Sequence, residues 1–424
     1  MNKNYISKNI QEIINDLSNK NFEKVVNKVE LISKDQIILN FKIWKEQIQI
    51  YENNFHTKID QFKLFTNIGV IFFKIGKINK SINFYKFSIQ DNPNFSLAYN
   101  NLAISYLEIG KFEKAAKNFE KAFKLNKNDL SAQKHLINIL NLVQPKDNDN
   151  DGIINLNHKI NSLIKNFNIK NFFDLKNIKK IFDLSNNLIY SFESDLTFNE
   201  TQIFRKNSNN LNCFRHFKVF NQFNIIPKYC FGCYKIQINL LTVIDLIKLY
   251  FIFDNINLTK NNLRKCMVET RNQIKGNYKG YIYCTGLEEA KIILKIIKKE
   301  IEVANISNSK ISIKHGCSEF YQSYPEYEKI NFDGEQLMKY NENWSKKEKL
   351  VDEKVPKRDE NDKKIWGTYL KGLNLSDVLI INNWINYAHI IGDFSYKKIF
   401  EKTIKPNFLN KILENQIEFR KNNF

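Results

Sequence analysis

The spacing of apolar residues changes along the chain and divides it into three regions. Up to about residue 143 they recur every three or four positions, which puts them on one face of successive helices. Phe22, Val25 and Val29 show this spacing, residues 37–51 continue it around Trp44, and residues 130–143 read as a closing helix. Residues 153–200 read as helical, polar and aromatic. Near residue 234 the period drops to two. Tyr234-Lys235-Ile236-Gln237-Ile238-Asn239 alternates apolar with polar, which predicts a strand with one buried face. Residues 243–253 then predict a helix, and 264–270 and 279–284 a pair of strands turning at Lys275-Gly276-Asn277. Residues 288–301 predict an amphipathic helix and 310–314 a last strand. Beyond these, 340–364 is densely charged and reads as a solvated helix or loop. Ser376-Asp377 is the expected cap of a helix over 378–391, with Gly392 as its stop.

Residues 62–129 repeat with a period of 34. Phe65 matches Tyr99, Asn67 matches Asn101, Gly69 matches Ala103, Gly76 matches Gly110, Ser81 matches Ala115 and Tyr85 matches Phe119. This pattern resembles the tetratricopeptide repeat (TPR) family. The second copy carries it most closely, as Tyr99-x2-Leu102-Ala103-x2-Tyr106 with Ala115-x3-Phe119. The resemblance implies pairs of antiparallel helices stacked into a solenoid over residues 1–143. Small residues let the two helices approach, and large ones fill the space between them. It also implies a concave groove that binds a peptide or protein. Asn67 and Asn101 stand where TPR arrays of the O-linked N-acetylglucosamine transferases carry an asparagine ladder. A carboxamide there can donate to and accept from a peptide backbone. The bland alternative is that these residues only tie adjacent helices together.

The stretch 144–152 breaks the composition and reads as a linker. Asp147, Asp149, Asp151 and Gly152 resemble the start of an EF-hand calcium loop. His158 stands where such a loop needs a bidentate Glu, so an ordinary acidic linker is the better reading.

Every cysteine lies between residues 213 and 317. The predicted order in that region is β-α-β-β-α-β, and two right-handed crossovers make this a ferredoxin-like sheet. The chain is therefore expected to be an α+β multidomain protein. The TPR solenoid is followed by a cysteine-rich α+β domain at 153–330 and by a charged, aromatic helical tail at 331–424. Trp344, Trp366 and Trp384 are expected to pack that tail onto the α+β domain. In the ferredoxin-like topology Cys233, Cys266, Cys284 and Cys317 all fall at one rim of the sheet, with Cys230 and His315 beside them. Cys213 and His216 can reach the same rim from the preceding segment.

Two metal sets follow. Cys213-x2-His216, thirteen residues, then Cys230-x2-Cys233 has the spacing of a zinc knuckle. Alternatively, Cys230, Cys233, Cys266, Cys284 and Cys317 gather around an iron–sulfur cluster or a catalytic metal. The plain alternative is buried, inert thiols. A Cys317–His315 nucleophile pair is a further candidate. Lys279-Gly280-Tyr281-x-Tyr283 resembles half of the third-strand motif of RNA-recognition modules, but the match fails at Ile282 and Gly286. Tyr281 and Tyr283 serve equally well as core on a helix-covered face.

Charge adds little to this picture. Lys and Arg total 65 against 45 Asp and Glu, for a net charge of +20. The basic residues are spread rather than clustered, which argues against a nucleic-acid footprint. The most apolar short run, residues 249–253, is too short to span a bilayer. With a polar N-terminus the expected location is the cytoplasm, where thiols stay reduced. The function expected is a protein-interaction scaffold whose cysteine domain holds zinc or an iron–sulfur cluster. The alternative is a peptide- or protein-modifying enzyme to which the array delivers substrate.

Overall fold

The computed structural model describes residues 3–19, 21–32, 40–145, 152–165, 173–193, 195–205, 207, 211–401 and 408–423. Most of the calcium-loop resemblance, Asp147, Asp149 and Asp151, lies outside them. The chain divides into two compact units. The first takes residues 1–139, 143–147 and 355–366; the second takes 140–142, 148–354 and 367–424.

The first unit is helical: α1 (Lys3–Ser18), α2 (Phe22–Ile32), α3 (Phe41–Phe55), α4 (Gln61–Lys74), α5 (Ile78–Asp91), α6 (Ser96–Glu108), α7 (Phe112–Leu125) and α8 (Leu130–Ile139). The pairs α4–α5 and α6–α7 are the two 34-residue repeats. Gly69 is where α4 and α5 approach: a Cβ there would lie 2.5 Å from Cε1 of Tyr85. Gly76 and Gly110 turn the chain within each pair at φ 79 and 72, a region that favours glycine. Trp44 of α3 packs edge-on against Phe84 at 5.2 Å, so α3 closes the core of the first repeat.

Residues 355–366 belong to this unit rather than to a tail on the other one. Their backbone and carboxylates meet the repeats directly. Asn79 N donates to Asp362 Oδ1 at 3.0 Å, Arg358 Nη2 pairs with Glu108 at 2.9 Å, and Ile365 N donates to Glu108 O at 3.2 Å. Trp366, expected as an anchor on the α+β domain, goes with this segment and is 38% exposed.

The second unit contains α9 (Ile153–Leu163), α10 (Leu175–Tyr190), β1 (Gln202–Arg205), α11 (Cys213–Phe223), β2 (Tyr234–Leu240), α12 (Val243–Asn255), β3 (Arg264–Val268), β4 (Tyr278–Cys284), α13 (Leu287–Val303), β5 (Lys310–His315), α14 (Ser345–Asp352), α15 (Leu375–Ile391) and α16 (Leu409–Asn423). The sheet has the order β1-β3-β4-β2-β5, with every neighbouring pair antiparallel. The α+β character of this unit matches the sequence pattern. Strand β1 at the edge was not anticipated, because four residues are too few to show a period.

Register decides which face each side chain takes. Ile238, Gly280, Cys266 and Ile203 lie in one cross-strand row. A Cβ on Gly280 would lie 2.4 Å from Leu249 Cδ2 and 3.2 Å from Phe253 Cζ, so this row faces α12. Residues one step along each strand face the other way. Lys235, Tyr283, Lys265 and Tyr281 therefore stand on the face opposite α12. Tyr281 and Tyr283 are not core on a helix-covered face: Lys279 to Cys284 places them in odd alternation with the glycine that the helix covers.

Helix α15 is the other large core element. Its cap is Asn374 rather than Ser376, with a capping box formed by Asn374 and Asp377, and Gly392 ends it at φ 81. Trp384 is fully buried in it and donates to Thr201 O at 2.8 Å. Trp344 is only partly buried, among Phe231, Tyr324 and Tyr340.

Candidate functional site

One rim of the sheet does collect thiols. Tyr234 pairs with both Cys284 and His315, and Gly316 N donates to Cys233 O at 2.8 Å. Cys233, Cys284 and Cys317 thus belong to the same end of the sheet. Cys266 does not. It pairs with Gly280, four residues in from Cys284 along β4, which is about 13 Å at the rise of a strand. It is 1% exposed beneath α12, and burial holds its thiol well above the ordinary range.

Parity separates the remaining thiols. Cys284 shares the α12 face, is 3% exposed, and burial pushes it up to about 12. On the opposite face a cavity is lined by Cys213, His216, Cys230, Cys233, Lys235 and Cys317, with Tyr283 and Phe320 beside them. The four residues of the knuckle spacing therefore share one cavity, and Cys317 joins them from the end of β5. Burial raises the Cys230 thiol, and it pushes Cys233 up to about 11 although Lys235 pulls the other way. The side chains do not converge as ligands. Among the described residues, no group of three His, Cys, Asp or Glu side chains is arranged to hold a metal ion.

His216 stacks on Tyr229 at 5.1 Å, and burial lowers its pKa, with Arg215 adding to the effect. His315 is not part of the cavity. It lies between Tyr234 and Tyr327, at 4.5 and 4.3 Å, with its ring nitrogens 2.6 Å from Tyr327 O and 3.1 Å from Phe231 O. Gly316, at φ 55, turns the chain between His315 and Cys317. The ring goes to the α12 face and the thiol to the other, so the expected nucleophile pair does not form. Cys317 Sγ accepts instead from Lys235 Nζ at 3.1 Å.

Lys235, which lines the cavity, shares its strand face with Lys265. Lys235 Nζ sits 5.2 Å from the centre of the Tyr283 ring. Lys265 Nζ lies 5.5 Å from the Tyr281 ring and 5.7 Å from the Phe204 ring, and donates to Gln202 Oε1 at 3.1 Å. Among the described residues neither lysine is paired with a carboxylate. Burial, then repulsion from Lys235 and Arg271, pulls the Lys265 amine down to about 8. These lysines were missed at the sequence level, although the alternation had marked them: Lys235 and Lys265 occupy polar positions of strands whose apolar positions are core.

In the first unit Asn67 is exposed on α4 and Asn101 half-buried on α6, one repeat apart. Among the described residues neither carboxamide hydrogen-bonds a neighbouring helix. The next position in register, His135 of α8, packs against Phe119 at 5.2 Å.

Comparison with known proteins bears on the first unit. Residues 96–129, the second repeat, match the tetratricopeptide repeat family. With the 34-residue period and the paired helices, this makes residues 62–129 TPR repeats within a TPR-like helical array. The uncharacterised protein ycf37 of Pyropia yezoensis is 37% identical over 71 residues, which is 17% of this chain and 40% of that protein. The matched stretch thus spans less than half of that relative. A solved structure from the functional characterisation of Pseudomonas aeruginosa pilF covers 43% of this chain and 88% of its own at 16% identity, with a TM-score of 0.20. That score is too low to support an argument about fold. Among the described residues, no helix is long and apolar enough to cross a membrane.

Proposed function

We propose that the chain is a protein-interaction scaffold whose TPR array grips an extended peptide segment of its partner. The observation that carries this reading is the pair Asn67 and Asn101. They hold the same position on α4 and α6, and both carboxamides are free of internal hydrogen bonds among the described residues. A carboxamide that only tied helices together would be spent on its neighbour. A free one offers a donor and an acceptor to a bound backbone. The test is to select peptides on the full chain by display, then measure their binding to the Asn67→Ala/Asn101→Ala double variant. Loss of binding at least tenfold with an unchanged melting temperature supports the groove. Equal binding by both proteins sinks it.

We infer that the second unit is a ferredoxin-like sheet with one added edge strand. Leaving β1 aside, its strands occur in the order β3-β4-β2-β5 and are joined β-α-β-β-α-β, which supports that topology. A second reading concerns its thiol cavity. Cys213, His216, Cys230 and Cys233 line one cavity, and their spacing along the chain is that of a zinc knuckle, which supports zinc there. Elemental analysis of purified protein decides it. One equivalent of zinc, lost in Cys230→Ser, supports the reading, and zinc-free folded protein ends it.

A further inference from the structure

We propose that the strand face carrying Lys235 and Lys265 is a binding site for an oxyanion, the phosphate or carboxylate of a small ligand. The argument starts from charge. Lys235 is 8% exposed and Lys265 is half-buried, and neither has a carboxylate partner among the described residues: Lys235 Nζ donates only to the Cys317 thiol and Lys265 Nζ to the Gln202 carboxamide. Burying an ammonium without a counter-charge costs several kcal/mol in general, so such groups are normally paired. The same unit pairs two of its other buried cations with carboxylates and surrounds a third, Arg264, with the carbonyls of Phe253, Asn262 and Ile256. Lys279 meets Glu269 at 3.3 Å, and Arg205 meets Asp254 and Asp377. Lys235 and Lys265 break that habit together, on one face.

Their surroundings fit an anion and not a cation. Lys235, Lys265 and Arg271 are close enough for each of the first and last to depress the Lys265 amine. The other titratable groups near Lys265 are Glu269, Tyr281, Cys213 and Cys317. Glu269 is already committed to Arg271 at 2.8 Å and to Lys279. Tyr281 and Tyr283 make no hydrogen bond through their hydroxyls among the described residues, which leaves two donors on the same face. An oxyanion would take ammonium hydrogens from both lysines in charge-assisted bonds. It would also release the tyrosine rings, now covered by lysine, to pack on an apolar part of the ligand.

The test uses the full chain at matched ionic strength, with thermal unfolding and calorimetric titration as readouts. The probes are inorganic phosphate, phenyl phosphate and benzoate. Saturable stabilisation by at least one oxyanion is expected in the wild type, weakened tenfold or more in Lys265→Met and in Lys235→Met, and retained in Lys310→Met. Stronger response to phenyl phosphate assigns a phosphorylated ligand; stronger response to benzoate assigns a carboxylate. Without ligand, Lys265→Met is expected to melt at or above the wild-type temperature, because it removes an unpaired charge. Should Lys235→Met fail to fold, Lys265→Met decides alone. No saturable response to any probe, or the same response in Lys265→Met, overturns the proposal.

Discussion

Arg205 Nη2 lies 2.8 Å from Asp377 Oδ2, joining strand β1 to helix α15 through a buried ion pair whose side chains are 4% and 1% exposed. The same guanidinium donates from Nε to Asp254 Oδ1 at 2.6 Å and from Nη2 to Tyr250 Oη at 3.0 Å. Removing the cation leaves two carboxylates buried together. Breaking one side of a buried pair typically costs about 3–5 kcal/mol. Arg205→Met is therefore expected to lower the urea midpoint of the second unit by a corresponding amount. Adding Asp254→Asn and Asp377→Asn to it should recover part of the loss. A single variant within about 1 kcal/mol of wild type would show the network to be expendable.

Gly69 tests the first repeat in the same way. Its missing Cβ would sit 2.5 Å from the Tyr85 ring, inside van der Waals contact. Overpacking of this kind typically costs about 1–3 kcal/mol. Gly69→Ala should destabilise the array by that amount, and Tyr85→Leu, which is destabilising alone, should make the two changes less than additive. Strict additivity in a double-mutant cycle on thermal unfolding would mean that the helices simply move apart.

The repeat period and the strand alternation were readable because each rests on many residues. The period of 34 joins pairs from Phe65 to Phe119, and the alternation over residues 234–239 falls on strand β2. Reading of the site went wrong where a single residue sets the geometry. The element order puts Cys266 near the start of β3 and so at the rim, whereas the register carries it to Gly280 under α12. His315 and Cys317 are two apart and should share a side on an extended chain, but Gly316 adopts a positive φ and separates them. Residues 355–366 looked like part of a solvated tail. Their attachment depends on Asp362 and Arg358 meeting Asn79 and Glu108, partners about 280 and 250 positions away that no local pattern indicates.

Burial also orders the thiols by reactivity. Cys213 is exposed, Cys233 and Cys317 are intermediate, and Cys230, Cys266 and Cys284 are buried. Alkylation requires an accessible thiolate. Timed iodoacetamide labelling of native protein, read by peptide mass spectrometry, should modify Cys213 first and Cys266 last, the latter only on global unfolding. Early labelling of Cys266 would contradict its place beneath α12.

The lowered pKa of Lys265 gives a pH dependence with a definite sign. Its amine ionises at about 8 in the folded chain against 10.5 for an unperturbed lysine, chiefly because it is buried and then because of Lys235 and Arg271. Between those two values the unfolded chain binds the proton and the folded chain does not, so this group makes stability rise with pH across that window. Below about 8 both states are protonated and the folded state bears the full penalty. Lys265→Met removes the penalty at every pH. The variant should therefore exceed the wild type in stability most clearly near neutrality, and the gap should close as pH approaches 10.5. Urea unfolding of both proteins across that range measures the gap directly. A difference that stays constant with pH would mean that Lys265 keeps its ordinary pKa, and its ammonium would then already be well solvated or paired.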